Sequence, residues 1–413
     1  MGGVVSGRRR GLDSAMRLVH LSDLHLGYRQ YQRLTPSGIN QREAHVGAAF
    51  RNAVDATIAL APEIVVVAGD VFHSVRPSNP AILLAFQQFS RLRRELPEAK
   101  IVVVAGNHDT PRSAETGYIL RLFAPMGVYV VDTKPQQLTF PELDLSILAV
   151  PYGEDHRLEP DPAARYNVLV AHAEIPGVLP PMEGDADRPA FRITRDELRA
   201  ERWTYVALGH YHVYHAVDKN AFYSGSLDYT SVTAWSDLHE ERKARVPGKG
   251  FLEFNLDTGV HKFHRVPLAR ALVDLPAISA RGLMAAEVDA RIRDAVDRCA
   301  GGIDDKIVRM VVRDIPRHIV RELDHAALRD YKRRALHFQL DARRPDVIRL
   351  HGHSAPGRRP SLADIVRDKL QGRLLEGDID RSALVDLGLR YLGEAEAVSA
   401  ASLATPDAVG AEE

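Results

Sequence analysis

The chain has one cysteine, Cys299, among 413 residues, so neither an intrachain disulfide nor a cysteine-cluster metal site is available to it. Any metal would have to be held by His, Asp, Glu or Asn, and eighteen histidines make that possible. Lysine is scarce, with nine against forty-five arginines. That bias suits bidentate phosphate contacts, and it also follows from genome base composition. No apolar run approaches the roughly 18 to 20 residues a membrane helix needs, and the early arginines are not followed by the apolar stretch of a secretory signal. No membrane contact and a cytoplasmic protein are therefore expected, nucleoid-associated if bacterial. A formal charge of −1 excludes a chain that coats nucleic acid through bulk positive charge. It leaves room for a local basic face, because residues 313–344 carry nine Lys and Arg against five Asp and Glu.

At 45% hydrophobic and 26% charged, disorder is excluded as the main theme, and the length predicts two or three domains. Residues 1–15 have no periodic apolar pattern and read as a disordered arm. From Arg17 onward, RLVHLSD, EIVVVAGD, KIVVVAGNHD, DLSILAVP, YNVLVAH and TYVALGHYH read as strands. EAHVGAAFRNAVDATIAL and PAILLAFQQFSRLRREL read as helices between them. Apolar runs spaced by helices predict an α/β protein whose sheet is buried on both faces. Hairpins follow at NAFYSGSL and around Asp257–Gly259, and the first domain is expected to end at 267. Residues 268–345, with the strand-like KIVRMVVRD and two basic amphipathic helices, read as a small α+β domain. Residues 346–360 read as a linker, 361–394 as a helix pair and 395–413 as a disordered acidic, alanine-rich tail.

Five polar clusters share one placement, the C-terminal end of a predicted strand. They are Asp23 and His25 in SDLHLG, Asp70 in AGDVFH, Asn107, His108 and Asp109 in AGNHD, His172 in VLVAH, and His210 and His212 in LGHYH. Loops at that end converge on a crevice in α/β sheets, so the five clusters point at one site. Imidazoles with carboxylate and amide oxygens suit borderline divalent ions such as Mn²⁺, Zn²⁺ or Fe²⁺. Seven candidate ligands, Asp23, His25, Asp70, Asn107, His172, His210 and His212, are too many for one ion. D-x-H and H-x-H on extended backbone put both side chains on one face. A carboxylate, Asp70 above all, could bridge two ions roughly 3.5 to 4 Å apart, the spacing that clamps a phosphoester. Gly69 and Gly106, just before site residues, would permit tight turns and close approach. Taken singly each fragment is bland, since a Gly-Asp after a strand is usually a turn and a lone histidine there is usually structural. The ordered series is not.

The series DLHLG, GDVFH, GNHD, VAH and GHYH resembles the calcineurin-like metallophosphoesterase superfamily, and in detail the Mre11/SbcD family of DNA repair nucleases. HLGY after the first motif, GDVFHSVRPSN, YSGSL, and KGFLEF followed by VPLAR narrow it to that branch. The resemblance runs from about Met16 to residue 345, strongly through residue 270. It implies a metallophosphoesterase β-sandwich flanked by helices, a small α+β DNA-binding cap and a C-terminal helical pair. It implies that Asp23, His25, Asp70 and His212 hold one ion and that Asp70, Asn107, His172 and His210 hold a second, with Mn²⁺ as the expected metal. His108 matches the family's catalytic histidine outside the ligand set, His73 a histidine that positions or stabilises the phosphate, and Asp109 the acid that orients His108. DYTSVTAWSDL departs from the family pattern, which puts any contact carried by residues 228–238 in question.

The expected activity is that of a two-metal phosphodiesterase, a 3′→5′ exonuclease on double-stranded ends and an endonuclease on single strands and hairpins. The alternative is a phosphatase or phosphodiesterase on small phosphoesters, which would share every ligand and need no basic cap. Expected partners are double-stranded and single-stranded DNA, an SbcC/Rad50-like ATPase received by Leu362, Ile365, Val366 and Leu370 with Leu384, Val385, Leu389 and Leu392, and a second copy of the chain. The dimer would form through helices at Pro80–Leu96 and Ser113–Phe123, by way of Leu83, Leu84, Phe86, Phe89, Ile119, Leu120 and Phe123.

Overall fold

The computed structural model describes residues 16–113, 117–153, 157–180, 191–231, 233–345, 361–372 and 380–403. The expected arm at 1–15 and linker at 346–360 lie outside them. Residues up to 345 form one compact unit and those beyond it a second.

Runs such as IVVVA at 64–68 are apolar at every position because both faces of the strand are covered. Two six-stranded sheets arise this way. The first contains β1 (Arg17–Leu21), β2 (Ile64–Ala68), β3 (Lys100–Val104) and β4 (Tyr129–Val131), all parallel neighbours. The second is built on β5 (Gln136–Phe140), β6 (Leu145–Val150), β7 (Tyr166–His172), β8 (Tyr205–Gly209), β9 (His215–Asp218) and β10 (Ala221–Tyr223), where β5 and β9 run antiparallel to their neighbours. The hairpin of β11 (Gly250–Asn255) and β12 (His261–Arg265) closes the first sheet beside β1.

The period of two decides what each side chain meets. Leu18, Val66, Val102 and Val104 pack against Val168, Val170 and Ala207 between the sheets. Val19, Val65, Val67 and Val103 face α1 (Gln41–Leu60) and α2 (Asn79–Glu95), where Val46, Phe50, Phe89 and Leu92 cover them. Asn40 and Ser78 cap these helices through their side chains. The sheet expected to be buried on both faces is thus one half of a sandwich of two mixed sheets flanked by helices, the architecture that the resemblance implied.

Two expectations about the proposed dimer surface are corrected. Residues 119–126 form 3-10 turns with Pro125 inside, not an α-helix, and Phe89, Leu120 and Phe123 are buried in the chain's own core. Leu83 and Phe86 on α2 are the exposed members of the expected dimer surface, at 60% and 42%.

After α3 (Arg195–Leu198) and α4 (Ala234–Ala244), a third sheet belongs to residues 272–342. There β13 (Leu272–Asp274), β14 (Ile278–Ser279) and β16 (His337–Ala342) all pair in parallel with β15 (Ile307–Arg313). This sheet packs on α5 (Ala285–Asp297), α6 (Arg317–Glu322) and α7 (His325–Arg334) around its own core of Val288, Ile292, Met310 and Phe338. It is a separate layer within the first unit. Tyr31 stacks on His337, and the Arg33 guanidinium donates to the carbonyls of Lys332 and Arg333.

In the second unit, Ser361 and Asp364 form a reciprocal capping box on α8 (Leu362–Gln371). The helix α9 (Arg381–Leu403) takes in residues 395–403, where the expected tail was to begin, and the rest of that tail lies outside the described residues. Alanine is the best helix former, and AEAVSAASL extends the helix instead of ending it. The helices pack through Leu370 against Gly388, yet Leu362, Ile365 and Tyr391 stay exposed. Among the described residues, no helix is long and apolar enough to cross a membrane.

Candidate metal centre

All five clusters sit just past, or on, the last residue of β1, β2, β3, β7 and β8, three strands from one sheet and two from the other. The site therefore straddles the end of the sandwich. Beyond the strands the first two loops stay zipped together, with Asp23 N donating to Gly69 O, His25 N to Asp70 O and Leu26 N to Val71 O, each at 2.9 or 3.0 Å.

Asp23, His25, Asp70 and His210 all have positive φ, a strained region for residues with a Cβ. Gly106 and Gly69 make room for this. A Cβ on Gly106 would stand 2.1 Å from Asp70 Oδ1, and one on Gly69 2.1 Å from His172 Nδ1.

The side chains meet with like polarity. His25 Nε2 and His212 Nε2 are 2.9 Å apart, and His172 Nε2 lies 2.8 Å from Asn107 Oδ1. Asp70 Oδ2 lies 3.7 Å from His25 Nε2 and 3.5 Å from His172 Nε2, so one carboxylate oxygen stands between the two groups. Donor atoms of Asp23, His25 and His212 fall within 4.8 Å of one another, as do those of Asp23, Asp70 and His172. His210 stands beside His172, ring centroids 5.5 Å apart, and its backbone N–H donates to Asp23. All seven residues singled out in the sequence are thus brought together.

Hydrogen bonds on the far side of each ring fix which nitrogen faces inward. His172 Nδ1–H donates to Ala68 O at 2.9 Å. The Ser231 hydroxyl donates to Asp237, so its oxygen accepts from His212 Nδ1–H at 2.7 Å. Both rings therefore turn an Nε2 lone pair into the site. Burial holds His25 and His212 well below the ordinary imidazole range, with neighbouring cationic and imidazole groups adding to it, and takes His210 down to about 4. A neutral imidazole keeps one ring nitrogen as an acceptor. Burial, then the charge of Asp70, pushes Asp23 well above the usual carboxylate range. Lone pairs packed against lone pairs beside two crowded carboxylates fit cations, and nitrogen and oxygen donors together fit borderline divalent ions.

Three residues sit beside this set. The backbone N–H of His108 donates to Asp70 Oδ1 at 2.9 Å, which leaves Oδ2 between the two groups. His108 Nδ1–H donates to the carbonyl of His73 at 2.8 Å, leaving Nε2 as the nitrogen that can take up and give a proton. The contact assigned to Asp109 is corrected here. Its carboxylate accepts from the backbone N–H groups of Val71, Phe72 and Gly106 and braces the loop around Asp70, while the His73 carbonyl holds His108. Burial, then Asp70, raises Asp109 to about 7. His73 Nδ1 lies 3.3 Å from His25 Nδ1 and its ring stacks on His108; burial first, then His108, lowers it to about 4.

The support of His212 has no counterpart in the sequence reading. Lys249, fully buried, donates to Asp237 at 3.1 Å and to His212 O at 2.7 Å and pairs with Glu241 at 3.0 Å. Tyr229 donates to Glu241, and Arg42 binds Asp228 and Tyr229 O. The loop that departs from the family pattern thus carries the orienting hydroxyl, and Lys249 lies in KGFLEF, where its buried partners gave no signal.

The cluster opens into a cavity of about 440 Å³, whose walls include His73, His108 and Trp235 together with Asp274 and Arg309 of the third sheet.

Comparison with known proteins agrees with this geometry. Residues 16–214 match the calcineurin-like phosphoesterase family. Similar proteins include DNA double-strand break repair proteins Mre11 from Methanopyrus kandleri, 26% identical over 59% of this chain and 55% of the relative, and from Methanosarcina mazei, 23% identical over 77% and 56%. The Methanocaldococcus jannaschii protein of the same name is 35% identical over 24% of each chain. The chain thus spans little more than half the length of the first two relatives and a quarter of the third.

Loss of the hydroxyl in Ser231→Ala leaves His212 Nδ1–H and Asp237 without their shared partner. Divalent-metal affinity, measured by calorimetry on the apo protein, should fall roughly 10- to 100-fold. Unchanged affinity in a normally folded variant would remove Ser231 from the support of the site.

Proposed function

We propose that the chain is a calcineurin-like phosphoesterase of the Mre11 branch and acts as a metal-dependent DNA nuclease of double-strand break repair, as its match to that family over residues 16–214 and its similarity to Mre11 proteins support. The supporting observation is Asp70 Oδ2, placed between two acceptor groups with His108 alongside, at the floor of a cavity whose wall includes the cap, residues 268–345. On this reading Asp23, His25, Asp70 and His212 hold one ion, and Asp70, Asn107, His172 and His210 the other. When bound, the ions supply Lewis acidity to the phosphate and lower the pKa of the attacking water.

The remaining chemistry belongs to side chains. His108, fixed through Nδ1 to the His73 carbonyl, gives its Nε2 proton to the phosphoryl or leaving oxygen. With His25 bound through Nε2, its Nδ1–H donates to His73 Nδ1, which leaves the His73 proton on Nε2 for a phosphate oxygen. Asp109 acts at one remove, by holding the backbone of the loop that carries Asp70 and His73.

Mn²⁺ is the proposed metal, and duplex ends and single strands the proposed substrates, cut as a 3′→5′ exonuclease and an endonuclease in the cytoplasm. The cap offers Arg329 and Lys332, both exposed, to a duplex backbone, whereas Arg333 and Arg334 already pair with Asp330 and Asp304. Exposed pairs of that kind are weak and exchange readily for phosphates. A small-phosphoester phosphatase would have no use for such a face. Exposed Leu83 and Phe86 on α2 fit a homodimer, and exposed Leu362 and Ile365 on α8 with Tyr391 on α9 fit the coiled coil of an SbcC/Rad50-like ATPase.

On labelled duplex ends the wild type should release nucleotides with Mn²⁺ and none with EDTA, while leaving small phosphomonoesters intact. His108→Gln should cut roughly 10²- to 10³-fold more slowly with metal content unchanged; loss of metal along with activity would place His108 among the ligands instead. Deleting residues 358–413 should spare this activity and abolish co-purification with the ATPase, and association that survives deletion would reassign the helix pair.

A further inference from the structure

The helix α4 has two faces of opposite character. Asp237 and Glu241 point into the protein and bind buried Lys249. Trp235, His239 and Arg242, spaced four and then three residues apart, all line the cavity that contains His25, Asp70 and His108. The helix thus borders the metal centre with an indole, an imidazole and a guanidinium, beside the carboxylate of Glu240, which pairs with Lys243.

Trp235 is held in place without being buried. Its Nε1–H donates to Gln339 Oε1 at 3.1 Å, and the Arg309 guanidinium sits over its ring, 4.8 Å from the centroid. Arg309 is itself fixed by two hydrogen bonds to Asp274, at 2.9 and 2.6 Å. An aromatic ring immobilised at a wet cavity wall carries the cost of ordering before any ligand arrives, and stacks a planar ligand with little further loss. Every nucleobase has such a face, and stacking on a fixed aromatic ring is sequence-tolerant. Exposed Arg242, two turns along the same helix face, supplies a cation for the phosphate of the stacked nucleotide.

We propose that Trp235 and Arg242 form a nucleotide subsite that stacks an unpaired base of the strand whose phosphodiester occupies the metal centre. The subsite rests on the nuclease reading and narrows its substrate to strands with at least one base freed from pairing at the site.

The chain has two tryptophans, and Trp203 lies in the core at 4% exposure, out of reach of a stacking base, so quenching by a bound oligomer reports Trp235. Titrating the metal-free protein in EDTA with a short oligothymidylate should quench tryptophan emission, and an abasic oligomer of the same length and charge should not. The quench should vanish in Trp235→Phe, where Trp203 alone emits. Trp235→Leu should weaken oligothymidylate binding about tenfold, read by anisotropy of the labelled oligomer, and leave abasic binding unchanged. Equal quenching by both oligomers, or a quench that survives in Trp235→Phe, overturns the stacking subsite. Cleavage of the same oligothymidylate by the wild type in Mn²⁺ separates the two failures. Cleavage without quenching overturns the subsite alone, and the absence of both overturns the nuclease reading with it.

Discussion

Acceptor atoms forced against acceptor atoms are the constraint from which the rest of this site follows. His212 Nε2, 2.9 Å from His25 Nε2, and His172 Nε2, 2.8 Å from the Asn107 amide oxygen, both turn lone pairs inward, and with His25 in the same tautomer these atoms and the Asp70 oxygen between them have no favourable contact with one another. Burial removes the water that would relieve them, and buried polar atoms without partners are costly. A cation reverses the sign of every one of these contacts at once.

The surrounding fold holds that arrangement against its own preference. Four residues of the cluster, Asp23, His25, Asp70 and His210, hold positive φ angles, and the zipped loops after β1 and β2 keep those at the first two loops from relaxing. Two inward lone pairs are set by outward protons. His172 sends its proton to the Ala68 carbonyl and His212 to Ser231, while the hydroxyl of Ser231 is committed to Asp237. Behind them Lys249 is a buried charge satisfied by Asp237, Glu241 and the His212 carbonyl, so the network is rigid because none of its members can leave without stranding another. Positioning extends in this way from α4 and β11 to a ligand on the loop after β8.

The cluster of donor residues was readable in the sequence because each member follows a short apolar run, and strand ends converge. What the runs did not carry was the partner of each covered face. IVVVA announces burial on both sides, and it does not say that one side meets helices and the other a second sheet. The resemblance assigned Asp109 to His108, whereas its carboxylate accepts from the backbone of its own loop at Gly106 and of the Asp70 loop at Val71 and Phe72. The true support of His108 is a main-chain carbonyl, and no residue type encodes that. Ser231 and Asp237 were hidden for a related reason, since their role depends on Lys249 arriving from β11. Phe89, Leu120 and Phe123 share a periodicity with exposed Leu83 and Phe86, and only packing separates the core from the surface.

The central claim is that Asp70 joins two ions in one centre. Anomalous diffraction from crystals grown with Mn²⁺ tests it most directly. The account predicts two peaks roughly 3.5 to 4 Å apart, one on either side of the Asp70 carboxylate, with Asp23, His25 and His212 around the first and Asn107, His172 and His210 around the second. A single peak at saturating Mn²⁺, or two peaks that share a ligand other than Asp70, would contradict it.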